Sequence, residues 1–154
     1  MIKTLIALLF TTVASFGAMP TLSIETLGAI KNPNITDKAH YGAGLDVGAK
    51  FNKFVTGHVR AISYSDQDWR GSAVDEGSLL VEARLLGSES GKLTLSAIGG
   101  ADRDFALDDW GFSVGARGAV QLTKNFGLFG ESRIRAWFHE EKDLITSAGL
   151  AFTF

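Results

Sequence analysis

The residues of this chain that could do chemistry are its ionisable and strongly polar ones, and they fall in two settings. One set lies in the middle of segments that alternate polar and apolar residues: Glu25, Asp46, Lys50, His58, Arg60, Glu82, Arg84, Arg117, Gln121, Glu131, Arg133 and Arg135. The other lies in polar connecting stretches: Asp66-x-Asp68, Asp102-x-Asp104, Asp108-Asp109, and His139 beside Glu140 and Glu141. Hydrolysis by side chains needs a nucleophile, a base and a group that orients the base, all within hydrogen-bond reach. His40, His58 and His139 are the available bases, with His139 the least unsuited because acids flank it. A histidine in a charged loop is ordinarily a solvated surface group, so no catalytic residue is assigned. The acidic pairs could hold calcium or divalent ions that bridge phosphates, but their spacing matches no defined calcium loop. No metal ligand is assigned and no cofactor is expected. The mid-segment charges are the informative ones. Four carboxylates (Glu25, Asp46, Glu82 and Glu131) and five guanidinium groups (Arg60, Arg84, Arg117, Arg133 and Arg135) recur where an apolar structure would not tolerate them unpaired.

The elements that carry these charges repeat with a period of two. Alternation places eight segments near 21–30, 41–51, 54–64, 77–86, 92–101, 110–122, 126–138 and 144–154. Asn52-Lys53, residues 87–91 and Lys124-Asn125 read as short turns, whereas 31–40, 65–76, 102–109 and 139–143 read as longer, charged loops. Opposite the charges runs a face without any: Leu45, Val47, Val59, Leu79, Val81, Leu95, Phe112, Val114, Leu150 and Phe152 are typical of it. Aromatic residues gather near segment ends, at Tyr41, Phe51, Phe54, Tyr64, Trp110, Phe126, Phe138 and Phe154. Alternation alone does not say which face points inward. A soluble barrel puts the apolar face inside, and a membrane barrel inverts it. The aromatic ends, the unequal loops and the even strand count favour the inverted arrangement.

Composition and the chain ends agree with this reading. The 154-residue chain has 18 Gly, two Pro and no Cys, which suits many strands and excludes disulfide and thiol chemistry. Its net charge of −2 offers no basic surface for nucleic acid. Lys3, a short apolar run and small residues read as a secretory signal peptide over residues 1–17, with cleavage after Gly17 or, less well, Ala18. Residues 18–154 are then one domain. No stretch approaches the roughly 20 apolar residues of a spanning helix. The chain closes on Gly149, Phe152 and Phe154, an aromatic strand end that would invite aggregation unless it closes a barrel at a membrane interface.

The Gly149, Phe152 and Phe154 pattern resembles the C-terminal targeting signal of bacterial outer-membrane barrels. Gly111-Phe112-Ser113-Val114-Gly115-Ala116-Arg117-Gly118, running through Leu122-Thr123-Lys124-Asn125-Phe126 to Glu131-Ser132-Arg133, resembles the small OmpA-like and opacity-type barrels, and Tyr41-Gly42-Ala43-Gly44-Leu45 is a weaker copy. The resemblance implies an all-β, eight-stranded, antiparallel up-and-down transmembrane barrel in the outer membrane. It implies contact with outer-membrane lipid, lipopolysaccharide and the barrel-assembly machinery, and external ligands met through the loops. Eight strands leave a lumen just wide enough for side chains, so the charges should fill it with ion pairs around Glu131 and Arg133. The expected role is structural or surface-interacting. Two alternatives stay open: a lipid A-modifying enzyme, although no histidine here sits in the His-x-Ser arrangement of the deacylase members, and a soluble barrel around an apolar ligand.

Overall fold

The computed structural model describes residues 21–32, 39–65, 74–88, 90, 92–105, 107–138 and 142–154. The signal-peptide segment, Asp66, Asp68, Trp69, His139, Glu140 and Glu141 lie outside them. Eight strands follow in order: β1 Thr21–Asn32, β2 His40–Lys50, β3 Val55–Tyr64, β4 Glu76–Gly87, β5 Leu93–Asp104, β6 Asp109–Gln121, β7 Phe126–Trp137 and β8 Lys142–Thr153. Each pairs antiparallel with its sequence neighbour, and β1 pairs with β8 from Ser23↔Thr153 to Asn32↔Leu144, closing an up-and-down barrel. Closure is what lets the aromatic C-terminal strand exist without a free edge. The Phe154 amide donates to the Leu22 carbonyl at 2.9 Å, and Asn125 Nδ2 donates to the Thr153 carbonyl at 2.7 Å.

The alternation resolves into an inside-out barrel. Leu45, Val81 and Val114 are 58%, 57% and 67% exposed on the outer wall, whereas Asp46, Arg133 and Arg135 are 0% exposed within it. A soluble barrel around an apolar ligand needs the reverse. Apolar side chains do enter the lumen, but as packing between charges: Leu27, Ala29, Ile62, Tyr64 and Phe129 form one cluster.

One end of the barrel carries the turns at 51–54, 88–92 and 122–125 together with both strand termini. Asn52 shapes its turn by accepting the Phe54 and Val55 amides on Oδ1, at 2.7 and 2.9 Å. The other end differs from expectation in two respects. β5 runs on to Asp104 and β6 begins at Asp109, so the supposed 102–109 loop shrinks to residues 105–108, and the 138–141 connection is equally short. The tight β5–β6 turn places Asp108 at φ 57°, a left-handed conformation that Asp tolerates, and joins its carboxylate to Arg103. Tyr64, expected in an aromatic girdle, is 5% exposed inside the barrel. Its inward neighbours Arg60 and Ile62 already set that parity.

Candidate functional site

The chemistry of this protein is concentrated in its lumen, where strand pairing brings charges distant in sequence side by side. Asp46 stands opposite Glu25 on β1 and opposite Arg60 on β3; Arg117 on β6 stands opposite Glu131 on β7. Glu131 is the hub. Arg60 reaches it with both terminal nitrogens, Nη2 at 3.0 Å, while Arg60 Nε donates to Asp46 Oδ2 at 2.8 Å. Arg117 Nη1 donates to Glu131 Oε2 at 3.1 Å and its Nη2 to Glu25 Oε1 at 2.5 Å. Arg117 Nε lies 3.3 Å from Glu82, and its guanidinium stacks 3.9 Å from the Phe129 ring centre. Two arginines from opposite walls thus share one carboxylate and span the lumen.

Arg133 extends the network toward the loop end. Its Nε lies 3.2 Å from Glu131, and its Nη1 donates to Asp102 at 3.1 Å and to Ser113 Oγ at 2.8 Å. Ser78 Oγ donates to the same Asp102 oxygen at 2.6 Å. Near the loop end, Arg135 forms forked bonds to two acids: Glu76 at 2.5 and 3.0 Å, and Asp143 at 2.7 Å through each of two nitrogens. Lys31 donates to Glu76 at 2.6 Å and lies 3.6 Å from Asp104, with its ammonium 5.6 Å from the ring centres of both Tyr64 and Trp137. Forked guanidinium–carboxylate pairs are strong and geometrically exacting, so each wall holds the other in register.

Of the residues singled out in the sequence, Glu25, Asp46, Arg60, Glu82, Arg117, Glu131 and Arg133 meet in the network around Glu131, while Arg135 anchors the separate loop-end cluster with Glu76 and Asp143. Arg84 does neither: at the register shift between β4 and β5 its guanidinium lies against Gly87, and it joins none of the ion pairs among the described residues. Gly149 faces inward where a Cβ would lie 1.9 Å from the Thr26 carbonyl, while Phe152 and Phe154 face outward at the turn end, 42% and 75% exposed. His58 is buried, with Nδ1 3.0 Å from Asp46 and Nε2 3.1 Å from Glu82. His40 opens β2 at the loop end, far from it along the barrel.

Sequence reasoning missed Lys31, Glu76 and Asp143 and read Asp102 and Asp104 as a cation-binding pair in a loop, because it assigned all five to loops. Each lies on the lumen side of a strand that is one to three residues longer than expected. Carrying the alternation on from Glu25, Glu82 or Arg135 would have found them: Lys31 follows Glu25 at even spacing, and Glu76 precedes Glu82 likewise.

At the turn end the lumen opens into a vestibule of about 250 Å3 with a mixed wall, Ser23, Lys50 and Lys92 beside Val120, Phe126 and Leu128, and with Glu25, His58, Glu82 and Arg117 facing it.

This fold, with charge within and apolar residues without, is that of the small transmembrane β-barrels. The chain is similar to a de novo designed transmembrane β-barrel, with TM-score 0.63 and 12% identity, over 89% of this chain and 98% of that one. It is similar to the N-terminal β-barrel domain of Pseudomonas aeruginosa OprF, with TM-score 0.63 and 14% identity, over 88% of this chain and 99% of that one. Ail, the attachment invasion locus protein of Yersinia pestis, matches with TM-score 0.50 and 12% identity, over 88% and 97%. No family model and no curated protein matches the chain. At these identities the likeness is one of fold.

Proposed function

We propose that this protein is a small outer-membrane barrel whose lumen is plugged by ion pairs and which acts structurally, or through its loop end, as a contact surface of the cell envelope. The observation that carries this reading is the Arg60–Glu131–Arg117 bridge, which ties β3, β6 and β7 together across the interior. An eight-stranded barrel has room for side chains and little else, so such a bridge occupies the path an ion would need. The outward apolar wall supports residence in lipid, and the fold of the OprF domain and of Ail supports the outer membrane as its location. In this reading residues 1–17 direct export and are removed, Gly149, Phe152 and Phe154 present the closing strand to the assembly machinery, and lipopolysaccharide surrounds the loop end.

The loop end supports a contact role because its wall keeps apolar side chains outward: Phe105, Leu107, Trp110 and Phe138 are 52%, 70%, 48% and 65% exposed. A lipid A-modifying activity finds less support, since the buried His58 is engaged by two carboxylates and bonds to no hydroxyl among the described residues. Two measurements test the proposal. Planar bilayers containing the refolded protein should show no steady conductance; a sustained open level would contradict the plugged lumen. Cells bearing variants with residues 33–39 or 65–75 shortened, or with Leu107→Ser or Phe138→Ser, should lose binding to host or abiotic surfaces relative to wild type, and unchanged binding for all of them would contradict the contact role.

A further inference from the structure

His58 presents a problem that proton counting makes explicit. Its two ring nitrogens face two carboxylates, Asp46 at 3.0 Å and Glu82 at 3.1 Å. A neutral imidazole has a single N–H and can satisfy one of them, leaving the other nitrogen lone pair pointed at an anion. Either a second proton or a metal ion must stand there. The surroundings suit a metal. Arg60 Nε takes Asp46 Oδ2 and leaves Oδ1 facing His58; Arg117 takes Glu25 Oε1 and leaves Oε2, which has no hydrogen-bond partner among the described residues although Glu25 is only 3% exposed. One donor atom each from Glu25, Asp46 and His58 lies within 4.8 Å of the others.

We propose that Glu25 Oε2, Asp46 Oδ1 and His58 Nδ1 form a binding site for a divalent transition-metal ion of the zinc class, reached through the turn-end vestibule. The Nε2–H donates to Glu82, which makes Glu82 the carboxylate that orients the ligand ring, as outer-shell acids do in histidine metal sites. Gly48 faces the imidazole across β2 and β3, where a Cβ would lie 3.4 Å from His58 Nδ1 and 2.4 Å from Ser23 Oγ. Donors around one tetrahedral zinc at about 2.0–2.2 Å sit roughly 3.3 Å apart, so the Asp46–His58 pair, at 3.0 Å, opens slightly and the Glu25 carboxylate, within 4.8 Å of both, swings its free oxygen inward. Charge agrees as well. The connected network sets five carboxylates (Glu25, Asp46, Glu82, Glu131 and Asp102) against three guanidiniums (Arg60, Arg117 and Arg133), so with a neutral imidazole it carries an excess of two negative charges, the complement of one divalent cation. Mixed imidazole and carboxylate donors suit zinc better than calcium or magnesium, and the fourth position opens to vestibule water.

The test uses the full barrel folded in detergent micelles, stripped with chelator and titrated with zinc chloride against a chromogenic competitor. One zinc per barrel is expected, with affinity weakened roughly tenfold or more in Glu82→Gln and further in Glu25→Gln and His58→Gln, and unchanged in a His40→Gln, His139→Gln double variant. Absence of saturable binding, or affinity that survives His58→Gln, would overturn the site. Should the lumen variants not fold, 15N spectra of the wild-type imidazole decide: zinc should shift Nδ1 while Nε2 keeps its proton, and two protonated nitrogens in saturating zinc would show that a proton, not a metal, fills the position.

Discussion

At the scale of single residues, Glu131 is the group on which the interior depends. It accepts from Arg60 and Arg117 and lies 3.2 Å from Arg133, so removing it leaves guanidinium charges uncompensated in a site from which water is largely excluded. Breaking one partner of a buried pair costs about 3–5 kcal/mol. Glu131→Ala should therefore lower the unfolding midpoint of the micelle-bound barrel sharply in a urea titration, and an unchanged midpoint would show that the network is redundant around it. Arg84→Ala, which removes a charge outside the network, should change stability by well under 1 kcal/mol. This contrast was half legible in the sequence. Mid-strand acids and arginines announce that they must pair, but alternation assigns Arg84 the same standing as Arg117. Their difference lies in their surroundings: Arg117 has Glu25, Glu82 and Glu131 around it, whereas Arg84 sits at the register shift between β4 and β5, its guanidinium against Gly87.

At the scale of elements, the strands were legible from period two and their ends were not. The apolar face stops where the membrane-facing wall stops, yet lumen-facing residues continue the strand beyond it, so β5 reaches Asp104 although the outer pattern fades near residue 101. Polar residues at a strand end look like a loop when only hydrophobicity is counted. The same cause hid the cluster around Arg135: Lys31, Glu76 and Asp143 all lie in these extensions. The turn between β5 and β6 offers a direct check. Asp108 holds φ 57°, which a β-branched residue resists, so Asp108→Val should destabilise the barrel by about 1–2 kcal/mol, while Asp108→Gly should be tolerated. Equal stability for the two variants would mean that the turn is not held in this conformation. Gly149 carries a second element-level constraint: Gly149→Ala would push a methyl against the Thr26 carbonyl, and the β8–β1 seam should loosen, seen as faster amide exchange along the paired stretch Thr26–Gly28 and Ala148–Leu150 than in wild type. Gly149 was legible only as part of a C-terminal pattern; its close approach to a neighbouring strand emerges from closure.

At the scale of the whole molecule, one inversion organises everything else: ion pairs occupy the space that a soluble barrel fills with aliphatic side chains, and the aliphatic side chains form the outer wall. Alternation made the two faces plain but was silent on their direction, which loop asymmetry and terminal aromatics had to supply. Half of that asymmetry is absent, because two of the four loop-end connections are as short as the turns, and the direction still stands on the exposure of Leu45, Val81 and Val114. A charge placed on that wall is predicted to be costly in a bilayer: Val114→Arg should destabilise the folded barrel in liposomes by about 2–4 kcal/mol, read as a lowered guanidinium midpoint, and a neutral outcome would argue that the position is not in lipid. The most direct measurement exploits the absence of cysteine. Single cysteines at positions 45, 81 and 114, spin-labelled in the liposome-embedded protein, report by electron paramagnetic resonance whether dissolved oxygen or a water-soluble nickel complex reaches them. The inside-out barrel predicts strong oxygen and weak nickel contact at all three; strong nickel contact, or labels immobilised and shielded from both, would contradict it.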